Sequence, residues 1–360
     1  MKICFVTSHY APFIGGIETH VERIAFHLAA RGDDVTVLTQ TDDDAWPNEE
    51  TIDGVRVRRF AVPLPSRNFA VSPALFRALR AERGGWDVVH AHGYGGAAPL
   101  LAATARARPL VFTPHYHGTG HSTFRKALHV PYRRVGSRVV AATSAVICVS
   151  NAERSLFLSH FPAAAAKTSV IPNGVDLDRL LAARPMRTER RVVVSAGRLE
   201  TYKHVELTIK AFAHLSDEYH LIVTGDGPER ARLEGITAQL RLGHKVSFLG
   251  RIDVEDLRRW FKSAQVYVSM STNEAMPVTI LEMLACGVRV VASDIPAHRD
   301  LKASFGEWLT LVPLTTPAPE LAARIEGAAE TELAKRPAVP TWTDVAEATR
   351  GVYQQVLDGA

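Results

Sequence analysis

Short, continuous apolar runs punctuate this chain, each released into a polar or glycine-bearing turn that leads to apolar residues at helical spacing. The first is Lys2-Ile3-Cys4-Phe5-Val6-Thr7, which opens into Gly15-Gly16; Val21, Ile24, Ala25 and Leu28 then mark one face of a helix, Arg31-Gly32 closes it, and Val35-Thr36-Val37-Leu38 follows. Strand, glycine turn, helix and strand make a βαβ unit. Runs that are apolar throughout, rather than alternating, belong to a parallel sheet covered on both faces. The pattern returns at Trp86 to Val89, Leu110 to Thr113 and Ala145 to Val149.

After Ile171-Pro172-Asn173-Gly174-Val175-Asp176, a turn-rich connector, strand character is weak as far as Arg190. The rhythm restarts with Arg191 to Ser195, His220 to Thr224, Val266 to Ser269 and Val288 to Val291. The expected class is α/β, with a doubly wound domain over residues 1–170, a linker over 171–190, a second doubly wound domain over 191–340 and a terminal helical segment over 341–360. The polar run from Thr41 to Glu50, including Asp42-Asp43-Asp44, reads as a solvated loop rather than a metal motif.

Composition narrows the setting. A chain of 360 residues that is 46% hydrophobic and 22% charged is an ordinary globular one. No window reaches the length of a spanning helix. Lys2 precedes too short an apolar stretch for a signal peptide, and Cys4, Cys148 and Cys286, with no partner at disulfide or metal spacing, read as buried thiols of a reducing compartment. The cytoplasm is the expected location. A net charge of +4 is too thin to argue for nucleic acid.

Four constellations can carry chemistry. Gly15 and Gly16, between the first strand and its helix, can bring backbone amides and a helix N-terminus close to an anion; the plainer reading is a tight turn. Arg198 and Lys203 follow the first strand of the second domain, where open α/β sheets bind ligands, and can converge on a diphosphate; solvated surface cations are the alternative. Glu274 stands before a helix expected to start at Pro277, Glu282 lies inside it, and the amides of Val278 and Thr279 fall in its first turn. Two carboxylates and a helix mouth suit a ligand with two polyol portions joined by a diphosphate, against the bland reading of surface ion pairs. His90, His92, His115, His117 and His121 cluster after two strands. No nearby carboxylate or thiol completes a ligand set for His115 and His117, so no metal is expected; a histidine at a strand end can instead meet a bound hydroxyl. Ser150-Asn151 reads as a helix N-cap rather than a nucleophile.

Taken in order, the glycine pair, Pro172-Asn173-Gly174-Val175-Asp176, Gly197-Arg198 with Lys203, Gly225-Asp226-Gly227-Pro228, Phe248-Leu249-Gly250, and Glu274 with Glu282 before Cys286-Gly287 resemble the family 4 retaining glycosyltransferases. The resemblance runs from about residue 2 to residue 298, with Trp342 and the terminal helix also typical. It implies the GT-B architecture: two Rossmann-like domains facing across a cleft, the nucleotide-sugar held mainly by the C-terminal one, and the last helix returning to the N-terminal one. By the same resemblance Arg198 and Lys203 hold the diphosphate with the amides of Gly15 and Gly16. Glu282 binds the ribose, Glu274 with the Val278 and Thr279 amides holds the donor sugar, His115 contacts the transferred sugar, and backbone at Arg251 meets the base. No cofactor or metal is implied, and the departing phosphate oxygen serves as base. Two departures stand out: the family often has Gly where Pro277 stands, and Glu where Asp300 stands.

The resemblance also implies a nucleotide-sugar donor, with UDP preferred and GDP-mannose as the second choice, and a glycan, lipid-linked or small-molecule acceptor, for which His92, Tyr116 and His117 are candidate contacts. Residues 88–152 contain no Asp or Glu, and residues 1–180 hold 20 Lys and Arg against 15 Asp and Glu, with 22 against 23 in the remainder. The positive excess therefore belongs to the acceptor half. The stretch from Phe124 to Arg138 suits an anionic membrane surface or a phosphorylated acceptor, or is simply a solvated helix face. A sugar-nucleotide epimerase of the same architecture and a noncatalytic nucleotide-sugar-binding subunit are the competing functions.

Overall fold

The computed structural model of the protein describes residues 1–13, 15–43, 45–63, 70–118, 123–331 and 335–359, except the side chains of 123–132. The chain separates into two compact units, Met1–Asn173 with Trp342–Ala360, and Gly174–Thr341.

The first unit is built on β1 (Lys2–Val6), β2 (Asp34–Thr41), β3 (Glu49–Ile52), β4 (Val55–Ala61), β5 (Val88–His92), β6 (Leu110–Thr113), β7 (Ala145–Cys148) and β8 (Thr168–Val170), in the order β3-β4-β2-β1-β5-β6-β7-β8. All neighbours run parallel except β3 and β4. That pair corrects the expectation of a solvated loop up to Glu50. Asp53 and Gly54 take φ of 49° and 82°, the left-handed pair that a two-residue hairpin turn needs, and Glu49 accepts from Arg56 across the strands at 2.7 Å.

Helix Trp342–Asp358 belongs to this unit, with Trp342 and Tyr353 buried. The Tyr353 hydroxyl hydrogen-bonds His90 Nδ1 at 2.7 Å, and Asp33 holds both Arg350 and the N-terminal ammonium. A buried aromatic face and a shared carboxylate thus fix the last helix to the first strand.

The second unit contains β9 (Arg191–Ala196), β10 (Tyr219–Thr224), β11 (Val246–Gly250), β12 (Ala264–Ser269), β13 (Arg289–Ser293) and β14 (Leu309–Val312), parallel throughout in the order β11-β10-β9-β12-β13-β14. Its core is aliphatic, with Val193, Leu221, Val266, Ile280 and Val290 fully buried. Cys4 and Cys148 are buried thiols as expected, whereas Cys286 is only half-buried. Ser150 caps helix Asn151–His160, its Oγ accepting from the Glu153 amide.

In both sheets the strand order reverses at one place, between β1 and β5 in the first and between β9 and β12 in the second. Chains leaving two adjacent strands there turn to opposite faces, which opens a crevice at the carboxyl ends. The loop after β9 is further held by the loop after β10, backbone to backbone: the Gly197 amide donates to Thr224 and the Leu199 amide to Asp226. A Cβ on Gly225, whose φ is 107°, would lie 2.0 Å from the Gly197 carbonyl oxygen. Gly225→Ala is therefore expected to cost about 2–5 kcal/mol, combining strain with backbone overlap. Urea denaturation should show the loss as a lowered midpoint; a wild-type midpoint would sink this account of the loop.

Candidate active site

At the β9–β12 crevice, Lys203 reaches past Gly197 and ends on Glu274, with Nζ to Oε1 at 2.6 Å and both side chains mostly buried. Burial works against the Lys203 charge, but the Glu274 carboxylate together with the Tyr202 and Tyr267 phenols outweighs it, so its pKa rises. Lys203 stays an ammonium in a partly desolvated wall, where a charge acts on its neighbours more strongly than in water. Tyr267, buried beneath, donates to the Ala196 carbonyl at 3.1 Å, and its phenol is pushed up to about 12, chiefly by burial, with Lys203, Glu274 and Glu282 all acting on it. That shared influence gathers Lys203, Glu274 and Glu282 around one ring.

The other candidates of this unit sit more openly. Arg198 is 72% exposed and pairs with Glu200 at 2.7 Å. Pro277 is the N-cap of helix Val278–Ala285, so Val278 and Thr279 open the helix and Glu282 lies half-buried one turn further in. Arg251 is exposed at the end of β11, the edge strand. His298 was not among the expected site residues. It is fully buried, shares a 2.7 Å hydrogen bond with the Ser293 carbonyl through Nδ1, and is kept neutral by burial.

At the β1–β5 crevice of the first unit lies a cavity of about 240 Å³, lined by Thr7, Ser8, His9, Glu18, His92 and Gly96 among others. Gly15 caps helix Gly16–Ala30 with extended backbone, and the Glu18 carboxylate lies against it, 3.8 Å from His9. The turn expected to meet a diphosphate thus already carries a carboxylate. His92 ends β5 inside the wall, and its ring sits 4.1 Å from that of His90, because residues two apart on a strand share a face. His115, with left-handed φ of 48°, follows β6. His20, from helix Gly16–Ala30, closes the group, its ring 4.8 Å from that of His115 and 5.5 Å from that of His92.

Burial lowers the pKa of all four histidines, that of His20 to about 4, so each is a neutral imidazole. Tyr116 is turned into the core, its amide donating to Glu153 and its hydroxyl bonded to His160 at 2.6 Å, so its ring offers no face to a soluble acceptor. His117 is exposed. Glu153, also absent from the expected set, accepts from the Tyr116 and Val149 amides and is pushed up to about 7 by burial. It ties together the turns that leave β6 and β7.

Of the basic stretch 124–138, the side chains of 124–132 lie outside the described residues; within helix Thr123–Ala142, Arg134 and Arg138 are exposed and Arg133 is half-buried. No described helix is long and apolar enough to cross a membrane.

Two family models account for most of the chain: Glycosyltransferase Family 4 over residues 14–179 and Glycosyl transferases group 1 over residues 178–327. The protein belongs to glycosyltransferase family 4. A D-inositol 3-phosphate glycosyltransferase of Geodermatophilus obscurus is 30% identical over 324 residues, 79% of this chain and 71% of the relative. A glycogen synthase of Mycobacterium tuberculosis is 31% identical over 324 residues, 82% of this chain and 78% of the relative. Among solved structures, sucrose-phosphate synthase of Thermosynechococcus elongatus superposes with a TM-score of 0.78 at 22% identity, covering 100% of both chains. Anabaena HepE in complex with UDP-glucose gives 0.72 at 21% identity, covering 100% of this chain and 99% of the other. The fold is GT-B, and the family 4 transferase has one strand-order reversal in each of its sheets.

Proposed function

We propose that this transferase moves a hexosyl or N-acetylhexosaminyl unit from a nucleotide-sugar to an acceptor hydroxyl with retention of configuration and without a metal in the catalytic step. The observation that carries the reading is the Lys203–Glu274 pair at the switch point of the second sheet: one fixed cation and one carboxylate, 2.6 Å apart, where a ligand enters. A diphosphate takes Lys203 and Arg198, and Glu274 is released to accept from sugar hydroxyls. Glu282 and the amides of Val278 and Thr279 follow the roles the family resemblance implies. UDP is the preferred nucleotide, and a neighbour of the same fold is described as a complex with UDP-glucose. Three free cysteines suit the cytoplasm, where nucleotide-sugars are made.

In the reaction the acceptor oxygen bonds to the anomeric carbon as the bond from that carbon to the diphosphate oxygen breaks on the same face, and the acceptor proton passes to the departing phosphate oxygen. Negative charge grows on the diphosphate, so fixed cations aimed at it lower the barrier. His115, kept neutral by burial, takes the contact to the transferred sugar that the resemblance implies.

The test is calorimetric titration with UDP, GDP and their sugars, followed by transfer assays on Arg198→Ala and Glu274→Ala. Both substitutions are expected to weaken donor binding or abolish transfer. Full activity with unchanged donor affinity in both would refute the assignment. Donor incubated alone and followed by NMR gives no epimer on this reading, and nucleotide binding without turnover across a broad acceptor panel would favour a noncatalytic subunit.

A further inference from the structure

His20, His92 and His115 each bring one ring nitrogen to within 4.8 Å of the other two. They come from helix Gly16–Ala30, from the end of β5 and from the turn after its neighbour β6, so the set is assembled by the fold rather than by local spacing. We propose that these three histidines form a binding site for one divalent cation of the Zn2+ class.

The first support is an imbalance within the cluster. His90 has both nitrogens satisfied, by Tyr353 at 2.7 Å and by Thr113 at 2.8 Å. His92, 1% exposed, has neither nitrogen bonded, and Nε2 of His115 is likewise buried and unbonded. An unpaired buried polar atom costs about 1–3 kcal/mol, and His92 and His115 can each turn one such nitrogen to the cluster. A cation with vacant coordination sites satisfies lone pairs from several directions, and neutral imidazoles are the form that binds it.

The second support is orientation. Asn173 Oδ1 lies 2.8 Å from Nδ1 of His20. A carbonyl oxygen only accepts, so Nδ1 carries the proton and Nε2 presents its lone pair. That is the arrangement in which an outer amide or carbonyl fixes the tautomer of a metal-bound histidine.

The third is size. Zn–N bonds of about 2.0–2.1 Å in a tetrahedron set ligand nitrogens about 3.4 Å apart and imidazole centres about 5 Å apart. The ring centres here are 4.8, 5.5 and 5.8 Å apart, close to that span. The 240 Å³ cavity borders the cluster at His92. Weighing His115 only against His117 leaves the set incomplete; His20 completes it.

An ion held by His115 blocks the contact assigned to it under the proposed function. That consequence rests on the transferase reading, while the site itself does not. The experiment is calorimetric titration of the chelator-treated full chain with Zn2+, and with Co2+ followed by visible absorption. The expected result is one tight equivalent and the absorption of four-coordinate Co2+. His92→Ala and His115→Gln should weaken Zn2+ at least about 100-fold, and Asn173→Ala, with all three ligands retained, about 10–100-fold. The full chain alone decides the matter if a variant fails to fold: six-coordinate Co2+ absorption, or no stoichiometric Zn2+ uptake, overturns the proposal. Equal affinity in the folded variants, which would mark surface histidines as the ligands, overturns it as well. Inhibition by Zn2+ that EDTA reverses is then read separately in the transfer assay.

Discussion

Lys203→Ala is expected to lower kcat about 10²–10³-fold, the usual cost of losing one fixed group that stabilises developing charge. Lys203 is partly buried and its ammonium donates to Glu274 at 2.6 Å, which holds it in place. On the proposed function, a diphosphate replaces Glu274 as the oxyanion partner of Lys203. The replacement favours the state in which the diphosphate is most negative, which is the departing state. Glu274→Gln separates the two halves of this description: UDP affinity should stay within a few-fold of wild type, while the further gain in affinity from the attached sugar should disappear. Calorimetry with UDP and UDP-sugar on both variants checks the pattern. If Lys203→Ala kept wild-type kcat, or if Glu274→Gln lost UDP and UDP-sugar binding equally, the pair would be structural and the donor would lie elsewhere.

What the sequence conveyed about this region, and what it could not, follows from distance along the chain. Strands β1, β5, β6, β9 and β12 are legible because each is a run of buried residues, and the glycines at 225 and 227 are legible because only their backbone fits the close approach between loops. Arg198 follows β9, Lys203 ends a short turn after it, Glu274 precedes helix Val278–Ala285 and Glu282 lies inside that helix, positions a local reading reaches. That Lys203 and Glu274 face each other is a property of two loops 71 residues apart, and no local spacing encodes it.

The β3–β4 hairpin was missed for the opposite reason. Its signal is local, an Asp-Gly turn at 53–54 flanked by alternating residues in β4, but Glu49, Glu50, Arg56, Arg58 and Arg59 made the segment look solvated. Their charges are carried by cross-strand pairs and by Arg59 donating to the Ala11 carbonyl at 2.7 Å. His20 was unreadable as part of a site because it lies on the apolar face of an amphipathic helix, beside Val21 and Ile24, where a histidine looks like filler. Only the packing of that helix over the ends of β5 and β6 gives it partners.

Acidification should destabilise the N-terminal unit before ordinary carboxylate titration begins, and the sign can be worked out group by group for metal-free protein. His20, His90, His92 and His115 have folded pKa values below the unfolded 6.5, that of His20 at about 4. Besides burial, the groups acting on them are one another and His117, with Asn173 bonded to His20. In the window below 6.5 the unfolded chain binds protons that the folded one excludes, so stability is present above that pH and is lost as pH falls. Together the four contribute a loss of about 5 kcal/mol between pH 7.5 and 5.5. Glu153 opposes them: its folded pKa of about 7 stands above the ordinary 4.5, so the folded state binds the extra proton and regains about 2 kcal/mol over the same interval. The net loss is about 3–4 kcal/mol, a large share of a domain's usual 5–15 kcal/mol. The second unit has His298 as its one fully buried histidine and should lose far less. Urea unfolding at pH 7.5, 6.5 and 5.5 in the presence of a chelator should therefore resolve into two transitions that move apart, the earlier one belonging to the unit that carries Trp46, Trp86 and Trp342. Glu153→Gln should steepen the decline by removing the opposing group, and a transition that stays put from pH 7.5 to 5.5 would mean that the four imidazoles are hydrated in the folded protein.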